Sequence, residues 1–382
     1  MRRVYCHGLA ARSSFGDWPA TLSRLMAGDS AVAPVDRFDA TGFPSTVAAA
    51  VPGWCDCEDR RTPMILDVLE RLPRLPGRVG VFVGAESGRG RMDTLRQLCQ
   101  AAGRPFDPAR FVAGAAALAP RLSPEVVSPA APSAALARRL RATGPVTTLS
   151  LACASGLAAI VEAVRSLQQG ECETAVAGGV GCDVDPLMLS GFGKLSALSA
   201  RGCSRPFDRR RDGFVVGEGA ALVLLSTRPG PVEVLGVGRS VDAHHLTMPD
   251  PQGRGALAAM RAALAGLEPG LPLDVVQAHG TSTPQNDAVE AAALAALGRP
   301  LGAVSSVKGA LGHWIAGAGA LGFVCAAQAL LTGEIIPTAG LEQPESDLQH
   351  VQGRGWVRRP RTALVNAFAF GGANASALLG VA

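Results

Sequence analysis

The most constraining feature of the sequence is a stretch of 25 residues without a charged side chain, from Gly309 to Gly333. Its length is sufficient for a membrane-spanning helix. However, it contains His313 and Gln328, it is rich in Gly and Ala rather than in Leu and Ile, and no second stretch of this kind accompanies it. A helix that is hydrophobic on all sides also occurs in the centre of large proteins. We therefore predict a buried core helix and no membrane association.

Short β-branched runs alternate with helix-like segments along the chain. The predicted strands are residues 78–84, 145–151, 174–180, 220–226, 232–238, 275–280, 303–307 and 362–368. Near-continuous apolar strands between helices are typical of sheets that are covered on both faces. With 382 residues, 48% of them hydrophobic, the chain is long enough for two domains or two fused half-domains. The sequence thus predicts a layered α/β fold.

Two strand–turn–helix units occur at matching places in the two halves of the chain. In the first, a strand that ends near Leu151 leads through Cys153 into a helix over residues 154–169. In the second, the strand 303–307 leads through residues 308–313 into a helix over residues 314–332. This repetition predicts duplicated halves, with Cys153 and His313 both placed at helix starts and brought together at one site.

Charge and cysteine content argue against several functional classes. The formal net charge is +4 and the basic residues form no run longer than Arg209 to Arg211, which is not the clustered basic surface of a nucleic-acid-binding protein. The nine cysteines are an odd number without paired CxxC spacing, which favours a reducing cytoplasm. Cys55 and Cys57 are too few ligands for a metal site. No GxGxxG fingerprint is present, so we predict neither a metal nor a redox cofactor.

Cys153 lies where an apolar strand gives way to small residues and then to a helix. The unpaired N–H groups and the positive dipole end of a helix N-terminus favour the thiolate. The small neighbours Ala152, Ala154 and Gly156 would let a substrate chain approach the sulfur. Taken alone, such a cysteine is more simply explained as a small buried hydrophobic residue. Its partners must decide between the two interpretations.

Two histidines are candidate partners. His279 directly follows an apolar strand, where a histidine facing a polar loop is suited to acid–base or hydrogen-bond donor work, although a loop histidine without a role fits equally well. His313 stands five residues after Lys308, one of only two lysines in the chain. A Phe–Gly–Gly turn at Phe370 supplies backbone N–H groups that suit an oxyanion hole, or else simply closes the last strand.

The motifs ACASG, RPFDRRRDGFVVGEGA, HGTSTPQND, KGALGH and FAFGGANAS occur in this order. Together they resemble the β-ketoacyl synthases of the thiolase superfamily, in the branch with a Cys-His-His triad. This branch includes the elongating enzymes of type II fatty-acid synthesis and the ketosynthases of polyketide assembly. The resemblance is strong over residues 140–382 and weaker over residues 1–140. It implies a thiolase-like fold whose duplicated halves, residues 1–226 and 227–382, form a five-layered α-β-α-β-α sandwich.

The resemblance also implies the chemistry of the site. Cys153 would accept an acyl chain from an acyl carrier protein as a thioester. His279 and His313 would hold the carbonyl of a malonyl thioester, promote loss of CO₂ and stabilise the enolate, with Lys308 supporting the pair. The backbone N–H groups of Cys153 and Phe370 would form the oxyanion hole, and Phe370 would gate the passage between the acyl and malonyl sites.

Thr281 and Thr283 match threonines of the family that would bind the phosphopantetheine arm. Asp287 and Glu290, one helical turn apart after them, are predicted supporting residues. At the pocket mouth, the cations Arg205 and Arg209 would dock the acidic carrier protein; for Arg209 to Arg211 a solvated cluster paired with nearby aspartates is an equal alternative. The protein would form a homodimer or a heterodimer with a ketosynthase-like partner.

Three positions depart from the common family pattern. Gly322 stands where some elongating synthases carry a glutamate that pairs with the lysine, and Ala369 and Ala373 replace a glycine and a threonine. These departures favour type II polyketide, polyene or specialised fatty-acid biosynthesis over housekeeping synthesis. Two alternatives stay open: a chain-length-factor-like partner without chemistry, and a ketosynthase-fold acyltransferase or hydrolase. The intact Cys153 argues against the first, and the intact histidine pair argues against the second.

Overall fold

A computed structural model describes residues 2–53, 58–119, 121, 123–268 and 270–382. Cys55 and Cys57, considered above as metal ligands, lie outside the described residues. The strands are β1 Val4–Ser13, β2 Gly16–Asp17, β3 Ala33–Pro34, β4 Val47–Ala48, β5 Val79–Gly84, β6 Val146–Leu149, β7 Thr174–Cys182, β8 Glu218–Ser226, β9 Val232–Val241, β10 Leu273–Gln277, β11 Leu301–Ser305, β12 Glu334–Ile335, β13 Trp356–Val357, β14 Thr362–Phe368 and β15 Ala373–Val381.

The α-helices are α1 Trp18–Ala27, α2 Arg61–Leu69, α3 Met92–Ala102, α4 Pro108–Ala117, α5 Pro124–Val127, α6 Ala131–Leu140, α7 Ser155–Gln169, α8 Pro186–Lys194, α9 Arg254–Ala263, α10 Pro284–Ala295, α11 Lys308–Leu311 and α12 Ala318–Thr332. Short 3₁₀ turns cover Ala152–Ala154, Ile315–Gly317 and Phe370–Gly372.

The main sheet is built from two half-sheets with the same topology. The first half-sheet has the strand order β6-β5-β7-β8-β1 and the second has the order β11-β10-β14-β15-β9. In each, the first three strands are parallel and the last two are antiparallel to their neighbours. β1 and β9 pair antiparallel over three residues and join the halves. The duplicated arrangement expected from the sequence is therefore present, while the boundary at 226/227, between β8 and β9, stays a prediction.

The two half-sheets enclose a central helical layer. Helix α7 packs against β5 and β7, and α12 packs against β8 and β14 and against α7. The outer face of the first half-sheet is covered by α2 and α6, and α9 packs on the outer face of the second. This is the predicted α-β-α-β-α sandwich. The segment Ile315–Thr332 is long and apolar enough to span a membrane, but 89% of it is buried inside the fold, so it is the core helix that the sequence predicts.

The repeat is visible in local geometry as well. Each central helix has 15 residues and is preceded by a 3₁₀ turn that begins at a non-glycine residue with positive φ, Ala152 at 47° and Ile315 at 48°. Each ends at a left-handed glycine, Gly170 or Gly333. By this correspondence Cys153 matches Ala316 rather than His313. The structure therefore differs from the expectation of two helix starts, because His313 lies before the second turn.

Two long strands of the sheet, β1 and β15, lack the apolar β-branched pattern that predicts the other long strands. β15 reads ANASALLGV, in which alanine predominates over the β-branched residues that mark strands. β1 is interrupted by charged and small residues, and its register with β8 shifts between Cys6 and Gly8. Both form because neighbouring strands supply partners along their whole length, which local propensity does not report.

His350 is a buried histidine that packs against Phe207. Its ring is 7% exposed and stacks 4.9 Å from the Phe207 ring, and its Nδ1 has no hydrogen-bond partner within the described chain. Burial lowers the pKa of His350 to about 4. Because the folded-state pKa lies below the unfolded value of about 6.5, His350 contributes its full stability above pH 6.5 and loses it as the pH falls toward 4.

We therefore expect the free energy of unfolding to fall by about 3 kcal/mol more in the native protein than in a His350→Asn variant between pH 6.5 and pH 4. Urea unfolding at a series of pH values measures this difference. The exposed His244 offers a matched control, and a His244→Asn variant should follow the native curve. Parallel curves for native protein and His350→Asn would contradict the assignment.

Candidate active site

A cavity of about 280 Å³ joins residues from both halves of the chain. Cys153, His279 and His313 all line it, although they are far apart in sequence. Its other walls include the predicted residues Thr281, Thr283 and Phe370 and the apolar side chains Phe192, Leu195, Phe214, Met248 and Phe368. The cavity thus combines one thiol and two imidazoles with an apolar lining suited to a carbon chain.

Cys153 lies in the 3₁₀ turn between β6 and α7 and is 7% exposed. Strand β5 and the start of α7 are in backbone contact beside this turn. Glycine at position 84 permits the contact, because a Cβ there would lie 2.3 Å from the Gly156 nitrogen. Burial raises the pKa of the Cys153 thiol to about 12, and the charges of Glu86 and Asp183 act in the same direction, opposed by Lys308. The thiolate expected from the helix N-terminus is therefore not the resting form.

The two histidine rings lie edge to face, with centroids 5.6 Å apart and planes at 79°. The Ile315 N–H donates to Nδ1 of His313 at 3.1 Å, which leaves the proton of a neutral ring on Nε2. That Nε2 is buried and has no hydrogen-bond partner among residues 2–53, 58–119, 121, 123–268 and 270–382. In His279, Nδ1 lies 3.5 Å from Lys308 Nζ, which can donate to it. Both rings therefore hold an Nε2–H donor beside the cavity.

The electrostatic environment keeps both rings neutral. Burial lowers the pKa of His279 and of His313, and the positive charge of Lys308 lowers both pKa values further. Lys308 is itself 5% exposed and donates to the carbonyl oxygen of His279. Burial lowers the pKa of Lys308 to about 8, with Glu290 opposing the shift. Lys308 thus positions His279 from behind the cavity wall.

Two buried carboxylates fix the loop that carries His279. Glu290 accepts the N–H groups of His279 and Gly280, each at 2.8 Å, and the side-chain amide of Asn366 at 3.2 Å. Asp287 accepts the backbone N–H of Thr281 at 2.9 Å. Burial raises the pKa of both carboxyl groups, and these donated hydrogen bonds oppose the rise. Both were predicted as supporting residues, and their hydrogen bonds hold the backbone of the loop.

The two threonines and the Phe370 turn also line the cavity. The hydroxyls of Thr281 and Thr283 are 2.8 Å apart, and Thr283 also caps α10. The loop around Phe370 is held by the Gly371 N–H, which donates to the Leu246 carbonyl at 2.7 Å. Phe370 is half-buried in the wall. This geometry is compatible with the predicted binding of the phosphopantetheine arm by the threonines and with gating by Phe370. Both roles stay predictions.

The basic cluster divides into different environments. Arg211 is buried and donates to the carbonyls of Thr283 and Pro284, so it stabilises the threonine loop. Arg210 forms an ion pair with Asp208. The predicted docking residues Arg205 and Arg209 are half-buried and exposed, respectively, and neither is among the described residues that line the cavity. Their docking role stays a prediction.

Two acidic residues beside the site were not predicted from the sequence. Asp242 lines the cavity and accepts the Asn374 side-chain amide at 2.7 Å and the Asp250 N–H at 3.1 Å. Glu86 accepts the N–H of Ala152 beside the nucleophile at 2.9 Å. Neither residue was among the predicted site residues. The available signal for Glu86 was its place two residues after a buried strand, at the edge of the sheet where Cys153 also emerges.

Family models match most of the chain. Residues 68–229 match the model described as "Beta-ketoacyl synthase, N-terminal domain", and residues 232–342 match "Beta-ketoacyl synthase, C-terminal domain". The chain is 33% identical over 421 aligned residues to a 3-oxoacyl-[acyl-carrier-protein] synthase 2 of Coxiella burnetii, covering 99% of this chain and 98% of the relative. Identity to the protein of the same name from Vibrio cholerae is 32%, covering 98% of both chains. Among solved structures, the ishigamide ketosynthase/chain length factor superposes with a TM-score of 0.85 at 29% identity, covering 100% of this chain and 99% of that one.

Proposed function

The chain belongs to the β-ketoacyl synthase family, and from this membership we propose the residues and steps by which it condenses acyl thioesters. It is an acyltransferase-class condensing enzyme that forms a 3-oxoacyl thioester on an acyl carrier protein. The observation that carries the residue assignment is the convergence of Cys153 with two Nε2–H donors, from His279 and His313, on one cavity. One group binds the acyl chain covalently and the other two stabilise an enolate.

In the first half-reaction, Cys153 sulfur attacks the acyl thioester on the carrier protein. A new carbon–sulfur bond forms to Cys153, the bond to the phosphopantetheine sulfur breaks, and the thiol proton ends on that departing sulfur. The backbone N–H groups of Cys153 and Phe370 stabilise the negative charge on the carbonyl oxygen in the transition state. The buried apolar cavity excludes water, which protects the acyl-enzyme from hydrolysis.

In the second half-reaction, malonyl on the carrier protein loses CO₂. The electron pair of the broken carbon–carbon bond becomes the enolate of the thioester, and the Nε2–H groups of His279 and His313 donate to its oxygen. The enolate carbon then attacks the carbonyl of the acyl group on Cys153, a carbon–carbon bond forms, and the cysteine sulfur leaves and takes up a proton. Neutral, preorganised donors suit this step because they need no reorientation as charge develops.

The substrates arrive on a partner rather than free in solution. An acyl carrier protein is the partner, as in the names of the related synthases, and the protein acts as a homodimer or with a ketosynthase-like second chain. Thr281 and Thr283 bind the phosphopantetheine arm where they line the cavity. We propose a cytoplasmic enzyme of polyketide or specialised fatty-acid biosynthesis that needs no further cofactor, since the reacting groups are carried on the arm.

Intact mass measurement tests this function. We expect acyl carrier protein substrates to add one acyl mass to Cys153, and malonyl carrier protein then to yield a 3-oxoacyl carrier protein and CO₂. A chain-length-factor-like protein would show no acyl adduct. An acyltransferase or hydrolase would form the adduct and release it without CO₂. Either of those results would overturn the proposed condensation.

Carrier-protein docking gives a separate prediction at Arg205. Reversing its charge in an Arg205→Glu variant should repel the acidic partner, so that the KM for the acyl carrier protein rises about tenfold while alkylation of Cys153 by iodoacetamide is unchanged. Steady-state kinetics at low salt measure this effect. The exposed Arg110 on α4 provides a matched charge reversal that should leave KM unaltered. Equal KM values for Arg205→Glu and Arg110→Glu would remove Arg205 from the docking surface.

A further inference from the structure

Glu86 makes a set of hydrogen bonds to the residues around the nucleophile that the family assignment does not explain. Its Oε1 accepts the Ala152 N–H at 2.9 Å, and its Oε2 accepts the Ser150 hydroxyl at 2.8 Å. The Ser155 hydroxyl lies 3.1 Å from Oε1 and 2.7 Å from the Ala152 carbonyl, so its single proton can be donated to either. The carboxylate therefore spans residues 150–155, the nucleophile turn, on both sides of Cys153.

The backbone of the nucleophile turn has a particular need for such an acceptor. Ala152 has a φ of +47°, a left-handed conformation that residues with a Cβ rarely adopt. This conformation turns the chain from β6 into α7 and presents the next residue, Cys153, to the cavity. The Ala152 N–H at the bend finds its acceptor in the Glu86 side chain. Without the carboxylate, Ala152 would keep its strained left-handed conformation but lose the hydrogen bond that stabilises it.

Glu86 is itself held by the protein around it. Its backbone carbonyl accepts a hydrogen bond from Arg61, which is 6% exposed and also donates to the Val126 carbonyl at 3.0 Å and the Ser128 carbonyl at 3.2 Å. The preceding residue, Ala85, donates to the Leu149 carbonyl at 3.1 Å and continues the pairing of β5 with β6. A buried cation and a strand end thus fix the main chain from which the carboxylate reaches the nucleophile turn.

We propose that Glu86 is a positioning residue for acyl transfer, one that holds the nucleophile turn so that the sulfur and the N–H of Cys153 both face the incoming thioester. The role rests on the proposed condensing function and adds to it a residue that touches neither substrate nor reacting atom. It acts on the steps at the thioester of Cys153 and not on malonyl decarboxylation, because His279 and His313 belong to other elements and have their own supports.

The charge of Glu86 has a second, measurable effect on the sulfur. The groups whose charges act on Cys153 are Lys308, which lowers its pKa, and Glu86 and Asp183, which raise it. His279 and His313, which share the cavity, are neutral because burial lowers the pKa of each. Removing the Glu86 charge without removing its hydrogen-bond acceptor should therefore shift the alkylation profile of the thiol toward lower pH.

Two variants and one control separate the effect of the hydrogen bond from that of the charge. Glu86→Gln keeps an oxygen that can accept the Ala152 N–H, and Glu86→Ala removes both the acceptor and the charge. Glu162→Ala is the matched control, because Glu162 lies on α7 and pairs at 3.1 Å with Arg239. The readouts are the rate of acyl loading of Cys153 by intact mass, the rate of malonyl decarboxylation, and the pH profile of iodoacetamide alkylation.

We expect Glu86→Ala to load acyl groups ~10²-fold more slowly, the effect of a misplaced reacting group, with decarboxylation within about twofold of the native rate. Glu86→Gln should load within about threefold of native protein and alkylate at lower pH. Glu162→Ala should match native protein throughout. Native-like loading by Glu86→Ala overturns the proposal, and so does equal loss of decarboxylation in that variant or equally slow loading by Glu86→Gln.

These outcomes are distinguishable from failure of the proposed function. Native protein that loads no acyl group would refute the condensing function, whereas native protein that loads normally beside an unaffected Glu86→Ala would refute only the role of Glu86. Should Glu86→Ala not fold, the loading rate of Glu86→Gln still decides, because slow loading by a variant that keeps the acceptor for the Ala152 N–H would overturn the proposal.

Discussion

A Cys153→Ala variant is expected to accept no acyl group, a loss of about 10⁴-fold or more in condensation, while it still decarboxylates malonyl carrier protein. The two half-reactions use different groups in the cavity. The sulfur forms the acyl-enzyme bond, whereas the donors to the malonyl carbonyl are two imidazoles on other elements. Intact mass after incubation with an acyl carrier protein measures loading. Release of CO₂ from malonyl carrier protein measures the second activity in the same preparation.

Cys172 offers a control for this experiment, since it is also a fully buried free thiol but lies outside the residues described as lining the cavity. A Cys172→Ala variant should load acyl groups at the native rate. An acyl adduct on Cys153→Ala would show that another residue is the nucleophile. Loss of decarboxylation together with loading would show that the two half-reactions do not use separate groups.

The second large effect concerns the histidine pair. Replacing His279 or His313 by alanine should lower malonyl decarboxylation by about 10²- to 10³-fold, because each ring supplies one preorganised donor to the developing enolate. Loading of Cys153 should stay within about threefold of the native rate. Rate measurements on the two half-reactions separate these effects, and unchanged decarboxylation in both variants would refute the scheme.

The tautomer of His313 permits a sharper version of this test. Its Nδ1 accepts the Ile315 N–H, so the group available to substrate is Nε2–H. A His313→Gln variant places an amide N–H near that position and should recover part of the activity that His313→Ala loses. The exposed His244 is a suitable control for histidine replacement in general. A His313→Gln variant no more active than His313→Ala would indicate that the ring acts as something other than a donor.

Much of the fold follows from local pattern. The strands whose apolar runs are rich in β-branched residues were predicted to within a few residues, as with 362–368, which is β14. The central helix α12 was also predicted, because the uncharged stretch Gly309 to Gly333, rich in Gly and Ala, is typical of a helix buried on every side. Alanine-rich β15 was not predicted, since its strand conformation comes from pairing with β14 and β9.

Glu86 shows a second limit of prediction from the sequence. Glu86 and Ala152 are far apart in the chain, and only the parallel pairing of β5 with β6 places their loops side by side. Sequence motifs identify groups that act together when each lies in a recognisable segment, as Cys153 and His279 do. A single carboxylate after a strand belongs to no such segment, so its contact becomes visible only when the strands are paired.

The sequence by itself determined which chemical groups the site contains, because a thiol, two imidazoles and a lysine in ordered motifs resemble one family of enzymes. Only the tertiary structure decided the protonation state of those groups. The helix start after Cys153 suggested a thiolate, but burial raises the pKa of Cys153 to about 12, and burial lowers the pKa of both histidines. The physical reason is that desolvation depends on every atom packed around a group, and those atoms come from all parts of the chain.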